Sequence, residues 1–566
     1  MRYLALACDY DGTLAGNGWV EDRTVEALGR LRNSGRRLVL VTGRRVEDVV
    51  GIFPSLDLFD RVVAENGAVL MRPGTREEVS LGEPPPPQFL AALRDRGVDP
   101  LAVGQVVVAT WQPHENTVLE TIRDLGLELQ VVFNKGAIMV LPSGVNKATG
   151  LGVALGELGL SPRNAVGVGD AENDHAFLNA CECAVAVANA LPMLKERCDW
   201  VTAADHGAGV VELIDALLDD DLARLAPVLK RHHVVLGERE DGTPLAMPPY
   251  GANVLLTGAS GSGKSTLATG LLERLAAGGY QFCIVDPEGD YAPFAGAAQL
   301  GDAKRTPSAD EVIELLARPE QSLIVNLLGL KLEDRPPFFA ALLPRLQELR
   351  SRTARPHWIV VDEAHHLMPA DWEPMPTLPP ALHNLLLITV HPDHLARAAL
   401  AAVDTVIAVG QPLVVPMRAL PASAGAPPAT LVPPPGHAGV WSTHLGAAPT
   451  SVRILPSEAD HRRHRRKYAE GELGEDKSFF FRGPQGKLNL RAQNLQMFLQ
   501  IADGVDDDTW RHHLRAGDYS QWMRQAIKDP QLAAEAAAVE AAPDADPRES
   551  RRRIRAAVEQ RYTLPG

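Results

Sequence analysis

The sequence has few cysteines and no long apolar run. Its 566 residues include five cysteines; none forms a C-x-x-C pair, and the odd number argues against a disulfide framework. No stretch approaches the roughly 20 apolar residues that a membrane-spanning helix needs. The first apolar run meets Asp9 too early to be a signal peptide. We therefore expect a soluble cytoplasmic protein that does not enter a membrane.

A surplus of negative charge limits the kinds of partner that we expect. The formal net charge is −15, which disfavours the coating of nucleic acid. Residues 231–460 hold 16 Lys and Arg against 23 Asp and Glu, whereas residues 461–566 hold 19 against 16. A nucleic-acid partner is therefore not favoured, and any surface that attracts anions is expected in the last hundred residues.

The length predicts three or four domains. Short β-rich runs alternate with helical segments through 1–215 and again through 232–455, which indicates two α/β domains with parallel sheets. The run PPPP lies in an apparent insertion. The predicted parts are an α/β core at 1–71 plus 142–216, an insertion at 72–141, a linker at 217–231, a second α/β domain at 232–455, and a basic linker with a mainly helical module at 456–566.

Acidic groups and phosphate-binding groups follow the predicted strands of the first domain. Asp9 and Asp11 stand two residues apart at the exit of an apolar strand, where α/β sheets hold their chemistry. One carboxylate can attack phosphorus while the other handles the proton of the leaving group. Clustered carboxylates need a cation, and hard oxygen ligands favour Mg²⁺. The further candidates at strand and helix ends are Thr42, Gly43, Lys147, Gly169, Asp170, Asn173 and Asp174.

A simple acidic turn is the alternative explanation of D-Y-D-G-T, but it does not account for four motifs in this order. That order resembles the haloacid-dehalogenase (HAD) phosphatase superfamily over about 1–215. AENGA, PSGVNKATGL, GDAEND and AVAVANA are similar to its IIB branch, the Cof-like sugar-phosphate phosphatases. The resemblance implies a Rossmann-like core with a small inserted α+β cap at 72–141, short as in the phosphoglycolate phosphatases.

The same resemblance implies a role for each motif residue. Asp9 would be the nucleophile that forms an aspartyl-phosphate, and Asp11 would be the general acid and base. Thr42 and Lys147 would hold the phosphoryl group of a small-molecule phosphate ester. The residues implied to hold Mg²⁺ are Asp9, Asp11 through its carbonyl, Asp170, and Asp174 in support. The cap residues that choose the substrate carry no motif, so the sequence does not name it.

A second phosphate motif lies at 258–265. It fits G-x-x-x-x-G-K-[ST] between an apolar strand and a helical segment. Its backbone N–H groups would point at phosphate oxygens, Lys264 would reach the β- and γ-phosphates of ATP, and the Ser265 hydroxyl would ligate Mg²⁺. The residues predicted to bind the nucleotide are Gly258, Ser260, Gly261, Ser262, Gly263, Lys264, Ser265 and Thr266.

Two acids after the strand HWIVV complete this predicted site. Asp362 is expected in the Mg²⁺ shell, and Glu363 is expected to polarise an attacking water. Such an acidic pair favours ATP hydrolysis over phosphoryl transfer to a small molecule. Thr389 and His391, at the end of a later strand, are candidate sensors of the γ-phosphate, although a lone histidine is more often structural.

Residues 232–412 resemble the HerA/FtsK class of P-loop ATPases. The stretch DPEGDY is similar to their DPxGxY element, with Asp286, Glu288 and Asp290 near the nucleotide. The resemblance implies a homo-oligomeric ring in which a neighbour supplies an arginine. The sequence assigns that role to none of the arginines before the acidic strand, which are Arg345, Arg350, Arg352 and Arg355.

Three functional hypotheses follow. The leading one is an Mg²⁺-dependent HAD phosphatase fused to a domain that binds and hydrolyses ATP and thereby gates or assembles the phosphatase. The alternative is a ring-forming ATPase that acts on nucleic acid or protein and carries an accessory phosphatase domain. In a third, the P-loop domain senses ATP without turnover. The acidic charge of 231–460 weighs against a DNA motor, which gains affinity by neutralising phosphates.

Overall fold

The structure is a computed structural model that describes the chain in two compact units, Met1–Leu455 and Pro456–Gly566. The described residues are all except 227, 260–261, 292–293, 295, 372–382, 422–430, 446–447, 456, 458–467, 470–472, 475–476, 528, 542–545 and 563–566. Within them, no helix combines the length and apolar character that crossing a membrane requires.

An eight-stranded sheet forms the centre of the first α/β domain. The strands up to residue 201 are β1 (Ala5–Cys8), β2 (Arg37–Val41), β3 (Arg61–Ala64), β4 (Val69–Arg72), β5 (Glu77–Ser80), β6 (Ala102–Val103), β7 (Val108–Trp111), β8 (Leu129–Asn134), β9 (Ala137–Pro142), β10 (Ala165–Gly169), β11 (Cys183–Ala186) and β12 (Trp200–Val201). The sheet has the order β12-β11-β10-β1-β2-β3-β4-β5, and β4 alone runs opposite to the other strands. Strands β1 and β10 are buried along their whole length, as expected for parallel strands covered on both faces.

Helices cover this sheet and build the insertion. They are α1 (Asp22–Asn33), α2 (Val46–Ile52), α3 (Pro87–Asp95), α4 (Glu115–Asp124), α5 (Lys147–Glu157), α6 (His175–Ala180), α7 (Pro192–Lys195) and α8 (His206–Asp220). In the insertion, α3 and α4 accompany the antiparallel sheet β6-β7-β9-β8. Phe89, Val118 and Ile138 belong to a separate apolar cluster there, so this cap has its own core.

Helix α5 begins at the residue that the site needs. Asn146 caps it, since its side-chain oxygen accepts hydrogen bonds from the backbone N–H of Ala148 (2.9 Å) and Thr149 (3.1 Å). Gly67, with a φ of +107°, packs against the Asn146 carbonyl, where a Cβ atom would lie 1.9 Å from the oxygen. Only glycine permits this approach, and the contact fixes where Lys147 enters the helix.

The second α/β domain has a larger, mixed sheet. Its strands are β13 (Val234–Glu238), β14 (Pro244–Met247), β15 (Asn253–Gly258), β16 (Phe282–Asp286), β17 (Ala297–Leu300), β18 (Ser322–Asn326), β19 (Trp358–Val361), β20 (Leu385–Thr389), β21 (Thr405–Val409), β22 (His437–Ser442) and β23 (Thr450–Arg453). Their order is β14-β13-β23-β22-β21-β15-β20-β19-β16-β18-β17. From β21 to β17 the pairs are parallel. Strand β20 therefore separates the phosphate-loop strand β15 from the acidic strand β19.

The helices of this domain are α9 (Lys264–Ala277), α10 (Ala309–Leu316), α11 (Arg335–Thr353), α12 (Arg397–Ala401) and α13 (Val414–Met417). Helix α9 follows β15 directly and starts at Lys264. The C-cap of α11 is Ala354, only four residues before β19 begins. These two helices therefore connect directly to the two strands that carry the predicted nucleotide site.

The second unit is mainly helical. It contains β24 (Phe479–Phe481), β25 (Leu490–Ala492), α14 (Leu495–Gly504), α15 (Asp507–Ala516), α16 (Asp518–Gln525), α17 (Pro530–Glu540) and α18 (Pro547–Tyr562). Aromatic rings dominate its core; for example, the Trp510 and Tyr519 ring centroids lie 4.4 Å apart. His513 accepts a hydrogen bond from the Arg482 N–H (3.1 Å) and pairs with Asp518 (2.7 Å), which is a structural role. The basic run 461–467 lies outside the described residues.

The two α/β domains of the first unit meet at a domain junction formed by the amino-terminal edges of both sheets. Arg163, just before β10, donates a hydrogen bond to the Gly278 carbonyl at the end of α9 (2.7 Å). Asn164 donates to the Tyr250 hydroxyl (3.1 Å) and contacts Nε2 of His357, the residue before β19 (3.3 Å). These contacts join strand starts, so the carboxyl ends of both sheets lie away from the junction.

A buried carboxylate lies at the centre of the domain junction. Glu182, which precedes β11, is 4% exposed, pairs with Arg2, and accepts a hydrogen bond from the Tyr280 hydroxyl (2.7 Å). Burial raises the pKa of Glu182, while Arg2 and Tyr280 oppose that change. Because a buried charge is costly without partners, each of these contacts stabilises the junction.

We expect Tyr280→Phe to lower the free energy of unfolding of the first unit by about 1–3 kcal/mol, since buried Glu182 loses one hydrogen-bond donor. Urea unfolding of the full chain measures this change. Tyr3→Phe is the matched control, because the buried Tyr3 hydroxyl has no hydrogen-bond partner among the described residues and its removal should cost no stability. Equal losses in the two variants would contradict the importance of the Tyr280–Glu182 contact.

Candidate active sites

A buried lysine bridges two carboxylates at the carboxyl edge of the first sheet. Lys147 Nζ lies 2.5 Å from Asp9 Oδ1 and 2.6 Å from Asp174 Oδ1, and all three residues are buried. Burial and then Asp174 raise the pKa of Asp9 to about 8, against the opposing effect of Lys147. Burial alone would lower the pKa of Lys147, but Asp174 and Asp9 raise it. The three residues therefore form one coupled charge cluster.

A third acid completes the cluster. Asp170 Oδ1 accepts a hydrogen bond from the Thr13 hydroxyl (3.2 Å), and Oδ2 pairs with Lys135 (2.7 Å). Asp174 Oδ2 accepts the backbone N–H groups of Asp170 and Ala171 (2.8 and 2.9 Å), which holds its other oxygen toward Lys147. Sequence reasoning placed Asp170 and Asp174 here but missed Lys135, which lies in the turn between β8 and β9 of the cap.

This donor set fits a divalent cation. One carboxylate oxygen from each of Asp9, Asp170 and Asp174 lies within 4.8 Å of the others, and hard oxygen donors are what Mg²⁺ prefers. Burial is the main cause of the raised pKa of Asp170, and the negative charge of Asp174 raises it further. The clustered acids therefore have an excess of negative charge that a cation would balance. In the described part of the chain, no other group of acids, histidines or cysteines meets the same distance condition.

The second carboxylate of the first motif is engaged by an arginine. Arg44 Nε and Nη2 each donate to one oxygen of Asp11, both at 2.7 Å. The pair is partly exposed, with 36% and 41% of the two side chains accessible. Arg44 was not among the predicted site residues, although it stands two residues after Thr42 in the printed sequence.

Thr42 is fully buried at the end of β2. Its hydroxyl accepts the Arg44 N–H (3.1 Å), and its carbonyl accepts the Asn66 N–H (3.0 Å). The Asn66 side chain in turn accepts a hydrogen bond from Asn173 (3.1 Å). The predicted phosphate-binding position is therefore fixed by backbone contacts from the turn before β4 and by the loop that carries the acids.

A buried glutamate anchors the cap to this edge of the core. Glu65 is 1% exposed, and its carboxylate accepts the backbone N–H groups of Gln105 (2.8 Å), Val106 (2.8 Å) and Val107 (2.9 Å). These amides lie between β6 and β7. Since Glu65 directly follows β3, the contact sets where the cap lies over the acids.

In the second domain, the described part of the phosphate loop surrounds Lys264. Gly263 precedes α9 with a φ of +103°, a conformation that favours glycine. Lys264 is buried, and its ammonium donates to the Ala259 carbonyl (3.1 Å). Ser265 is exposed and Thr266 half-buried at the start of the helix. Ser260 and Gly261, which were also predicted to bind nucleotide, lie outside the described residues, while Gly258 ends β15 and Ser262 follows the gap.

Acids gather beside this loop at the ends of β16 and β19. Asp362 is buried, and its pKa is raised well above the usual value by burial and then by Asp286 and Glu363. Burial also raises the pKa of Glu363, against the opposing effect of Lys264. Asp286 accepts the backbone N–H groups of Glu288 (3.2 Å), Asp290 (3.1 Å) and Tyr291 (2.9 Å). Asp362 and Glu363 thus lie at one acidic edge facing Lys264.

Histidines surround the candidate sensor on β20. Buried Thr389 contacts Nδ1 of His365 at 3.0 Å, and His365 lies 3.5 Å from Glu363. His391 is exposed; its ring centroid lies 5.4 Å from that of His365. Burial and then the neighbouring histidines lower the pKa of His365 to about 4, so it is neutral near pH 7. The sequence singled out Thr389 and His391 but not the His365 contact.

Burial also separates the four arginines before β19. Arg355 is fully buried and donates to the Gly159 carbonyl of the first domain (2.6 Å). Arg350 donates to the carbonyls of Pro356 (2.9 Å) and His383 (2.6 Å). Both side chains donate hydrogen bonds to backbone carbonyls within the first unit. Arg345 and Arg352 are more accessible, and Arg345 pairs with Asp310 (2.5 Å).

Comparison with known proteins finds two families along the chain. The haloacid dehalogenase-like hydrolase family matches residues 6–80 and 102–214, and the AAA ATPase domain family matches residues 245–388. The phosphoglycolate phosphatase of Methanothermobacter thermautotrophicus is 32% identical over 220 residues, which are 37% of this chain and 96% of the relative. That of Haloarcula marismortui is 34% identical over 226 residues, 37% of this chain and 95% of the relative.

A solved structure is also similar to part of the chain. A haloacid dehalogenase-like hydrolase from Bacteroides thetaiotaomicron is 20% identical, with a TM-score of 0.35, and the match covers 38% of this chain and 99% of that one.

We expect Glu65→Gln to loosen the cap. The amide keeps one oxygen but turns its NH₂ group toward backbone N–H donors, and the charge-assisted hydrogen bonds are lost. Amide exchange at Gln105, Val106 and Val107 should accelerate by about 10- to 100-fold, as measured by hydrogen–deuterium exchange. Glu83→Gln, an exposed position in the same insertion, is the control and should leave these rates unchanged. Unchanged rates in Glu65→Gln would show that the carboxylate does not anchor the cap.

Proposed function

The chain belongs to the haloacid dehalogenase-like hydrolase family, and from that premise we propose that its first domain hydrolyses small phosphomonoesters with Mg²⁺ through an aspartyl-phosphate on Asp9. The chain is a hydrolase in which this phosphatase domain precedes an AAA ATPase domain. The observation that carries the proposal is the buried cluster in which Lys147 bridges Asp9 and Asp174 beside Asp170.

The chemistry follows from these side chains. An Asp9 oxygen attacks phosphorus, the bond from phosphorus to the ester oxygen breaks, and Asp11 donates a proton to the departing alcohol. Water activated by Asp11 then attacks the aspartyl-phosphate, which releases inorganic phosphate and restores Asp9. Lys147 and Thr42 hold the phosphoryl oxygens. Attack requires Asp9 as a carboxylate, and Lys147 favours that charged form.

Asp9, Asp170, Asp174 and the Asp11 carbonyl would hold the metal. When bound, Mg²⁺ supplies positive charge against the phosphoryl oxygens and the clustered acids. Lys135 and Arg44 add positive charge at the same edge through their pairs with Asp170 and Asp11. The Asp11–Arg44 pair engages both carboxylate oxygens, so proton transfer by Asp11 requires the pair to rearrange when substrate enters.

Phosphoglycolate is the first candidate substrate. The curated relatives that match almost over their full lengths are named phosphoglycolate phosphatases, and a small cap of the IIB type suits a short ester. Lys135 in the cap and Arg44 in the core offer two cations that could receive a substrate carboxylate beside the reacting phosphate. Sugar phosphates are the competing class, since they lack that carboxylate.

The second domain, by this proposal, binds and hydrolyses ATP and gates the phosphatase. Lys264, Ser265 and Thr266 would hold the phosphates and Mg²⁺, Asp362 would complete the metal shell, and Glu363 would orient the water. Strand β20, which ends at Thr389, lies between β15 and β19, so a candidate γ-phosphate sensor stands between the loop and the acids. The class that we propose for this domain is HerA/FtsK-like. Helix α9 supports gating because it connects the nucleotide site to the phosphatase domain. It starts at Lys264, and the carbonyl of its C-cap residue Gly278 accepts a hydrogen bond from Arg163 of the first domain.

The phosphatase prediction is tested by Asp9→Asn. We expect the turnover of phosphoglycolate with Mg²⁺ to fall at least about 1,000-fold, since the amide cannot form the acyl-phosphate, and EDTA should abolish wild-type turnover. Released phosphate measures both effects, and ATP hydrolysis in Asp9→Asn should stay at the wild-type rate. Undiminished turnover in Asp9→Asn would overturn the assignment of the nucleophile. If phosphoglycolate is inert while a sugar phosphate is cleaved, only the substrate assignment is wrong.

The ATPase and gating predictions are tested by Lys264→Ala and Glu363→Gln. Lys264→Ala should lose ATP binding, whereas Glu363→Gln should bind ATP but hydrolyse it at least about 100-fold more slowly. If ATP gates the phosphatase, ATP changes the phosphatase rate of the wild type but not that of Lys264→Ala. A phosphatase rate that ignores ATP in all three proteins would exclude gating while leaving both hydrolytic assignments standing. ATP hydrolysis stimulated by DNA would favour the motor hypothesis instead.

A further inference from the structure

A cavity of about 410 Å³ opens at the domain junction, away from both predicted catalytic edges. Arg2 contributes to it from the start of the first domain, while Tyr250, Gln347, Arg350 and Asn384 contribute from the second. Its volume is that of a pocket for a small organic molecule. Ser351 and His383, which also line it, are exposed, so the cavity communicates with solvent.

Among the described residues, the lining is cationic and contains no acid. The residues around the cavity are Met1, Arg2, Tyr250, Gly251, Gln347, Arg350, Ser351, Ala354, His357, His383 and Asn384. Arg2 is balanced by Glu182. Arg350 has no ion-pair partner among the carboxylates that the structure describes, and burial lowers its pKa to about 10. The site therefore holds a cation, Arg350, whose charge no described carboxylate neutralises.

Two buried hydrogen-bond donors in this lining lack partners. Arg350 donates hydrogen bonds from Nε and Nη1 to backbone carbonyls, but its Nη2 has no acceptor among the described residues. Nε2 of Gln347 also lacks an acceptor among them. The two residues are three apart on α11, so they share one face of the helix. An unsatisfied buried donor is costly, and two beside one cavity indicate a missing acceptor.

The neighbouring polar groups are already committed. Asn384 accepts the Gly251 N–H (2.6 Å) and donates to the Pro249 carbonyl (2.9 Å). His357 accepts the Gln281 N–H at Nδ1 (2.8 Å). The buried side-chain atoms of the lining that lack a partner in the described structure are therefore all donors. The Tyr250 ring, with the Arg2 guanidinium 4.1 Å from its centroid, supplies a face for an apolar body.

We propose that this cavity binds a small organic oxyanion, a carboxylate or phosphate with a compact apolar body, between the phosphatase and ATPase domains. Both nitrogens are covered in the ligand-free structure, so the two side chains turn toward the cavity when the oxyanion binds. It then accepts hydrogen bonds from Arg350 Nη2 and Gln347 Nε2 and neutralises the Arg350 charge. The ligand contacts both domains, so its binding stabilises the junction. This site is separate from the two proposed catalytic sites.

The test compares benzoate, phenyl phosphate and uncharged benzamide by isothermal titration calorimetry. It uses the full chain carrying Asp9→Asn and Lys264→Ala, which prevents phosphate-ester turnover and weakens nucleotide-site binding. We expect one or both anions to bind with a 1:1 stoichiometry and benzamide to bind at least about 10-fold more weakly. Binding by benzoate alone identifies a carboxylate ligand, and binding by phenyl phosphate alone identifies a phosphate ligand. Failure of both anions, or equal binding of benzamide, overturns the proposal.

Gln347→Met in the same background locates the binding. Gln347 Nε2 makes no hydrogen bond in the described structure, so this near-isosteric change should raise the urea midpoint of the ligand-free protein while weakening anion binding about 10-fold. If Gln347 had only a structural role, its replacement would neither raise the urea midpoint nor weaken anion binding. Arg352→Met, which removes an exposed cation from the same helix, is the control and should keep wild-type affinity. Unchanged affinity in Gln347→Met would place the anion elsewhere and overturn the proposal.

Discussion

A parallel sheet has two different edges, and this constraint organises the first unit. All carboxyl ends of the parallel strands emerge on one edge, where loops can collect catalytic groups. In both α/β domains the opposite edge is used for the domain junction, through contacts such as Arg163 to Gly278, Asn164 to Tyr250, and Tyr280 to Glu182. The two predicted catalytic edges therefore point away from the domain junction, which keeps the two proposed phosphate sites apart.

This arrangement determines how the sites can influence each other. The two predicted sites lie at edges that point away from the junction, so coupling between them would pass through elements that reach from an edge to the junction. Helix α9 is such an element: its 14 residues span about 20 Å from Lys264 to the contact with Arg163. Strand β19 is another, since it is flanked by His357 at the junction and by Asp362 at the acidic edge. Regulation by ATP would therefore be mechanical rather than chemical.

The parts that sequence could predict are those determined by strand ends. Asp9, Thr42 and Asp170 each follow a short apolar strand, and parallel pairing brings such positions together whatever the loops do. Lys135 and Glu65 could not be found in this way, because their partners depend on how the cap lies over the core. A lysine in a hairpin turn carries no motif, and Glu65 is recognisable only once three amides 40 residues later are seen around it.

Buried charge shows what each site still lacks. Around Lys147 the acids outnumber the cations, since Asp9, Asp174 and Asp170 share one buried lysine and a half-exposed one from the cap. A metal ion would supply the positive charge that this cluster lacks. Around Arg350 the balance is reversed, because a guanidinium with one unpartnered nitrogen lines a cavity around which the described residues include no acid. Because withdrawing a charged group from water without a charged partner is costly, each imbalance favours a ligand of opposite charge. The motifs predicted the first of these sites. The second carries no motif and is visible only in the fold, where α11 and Arg2 line the same cavity.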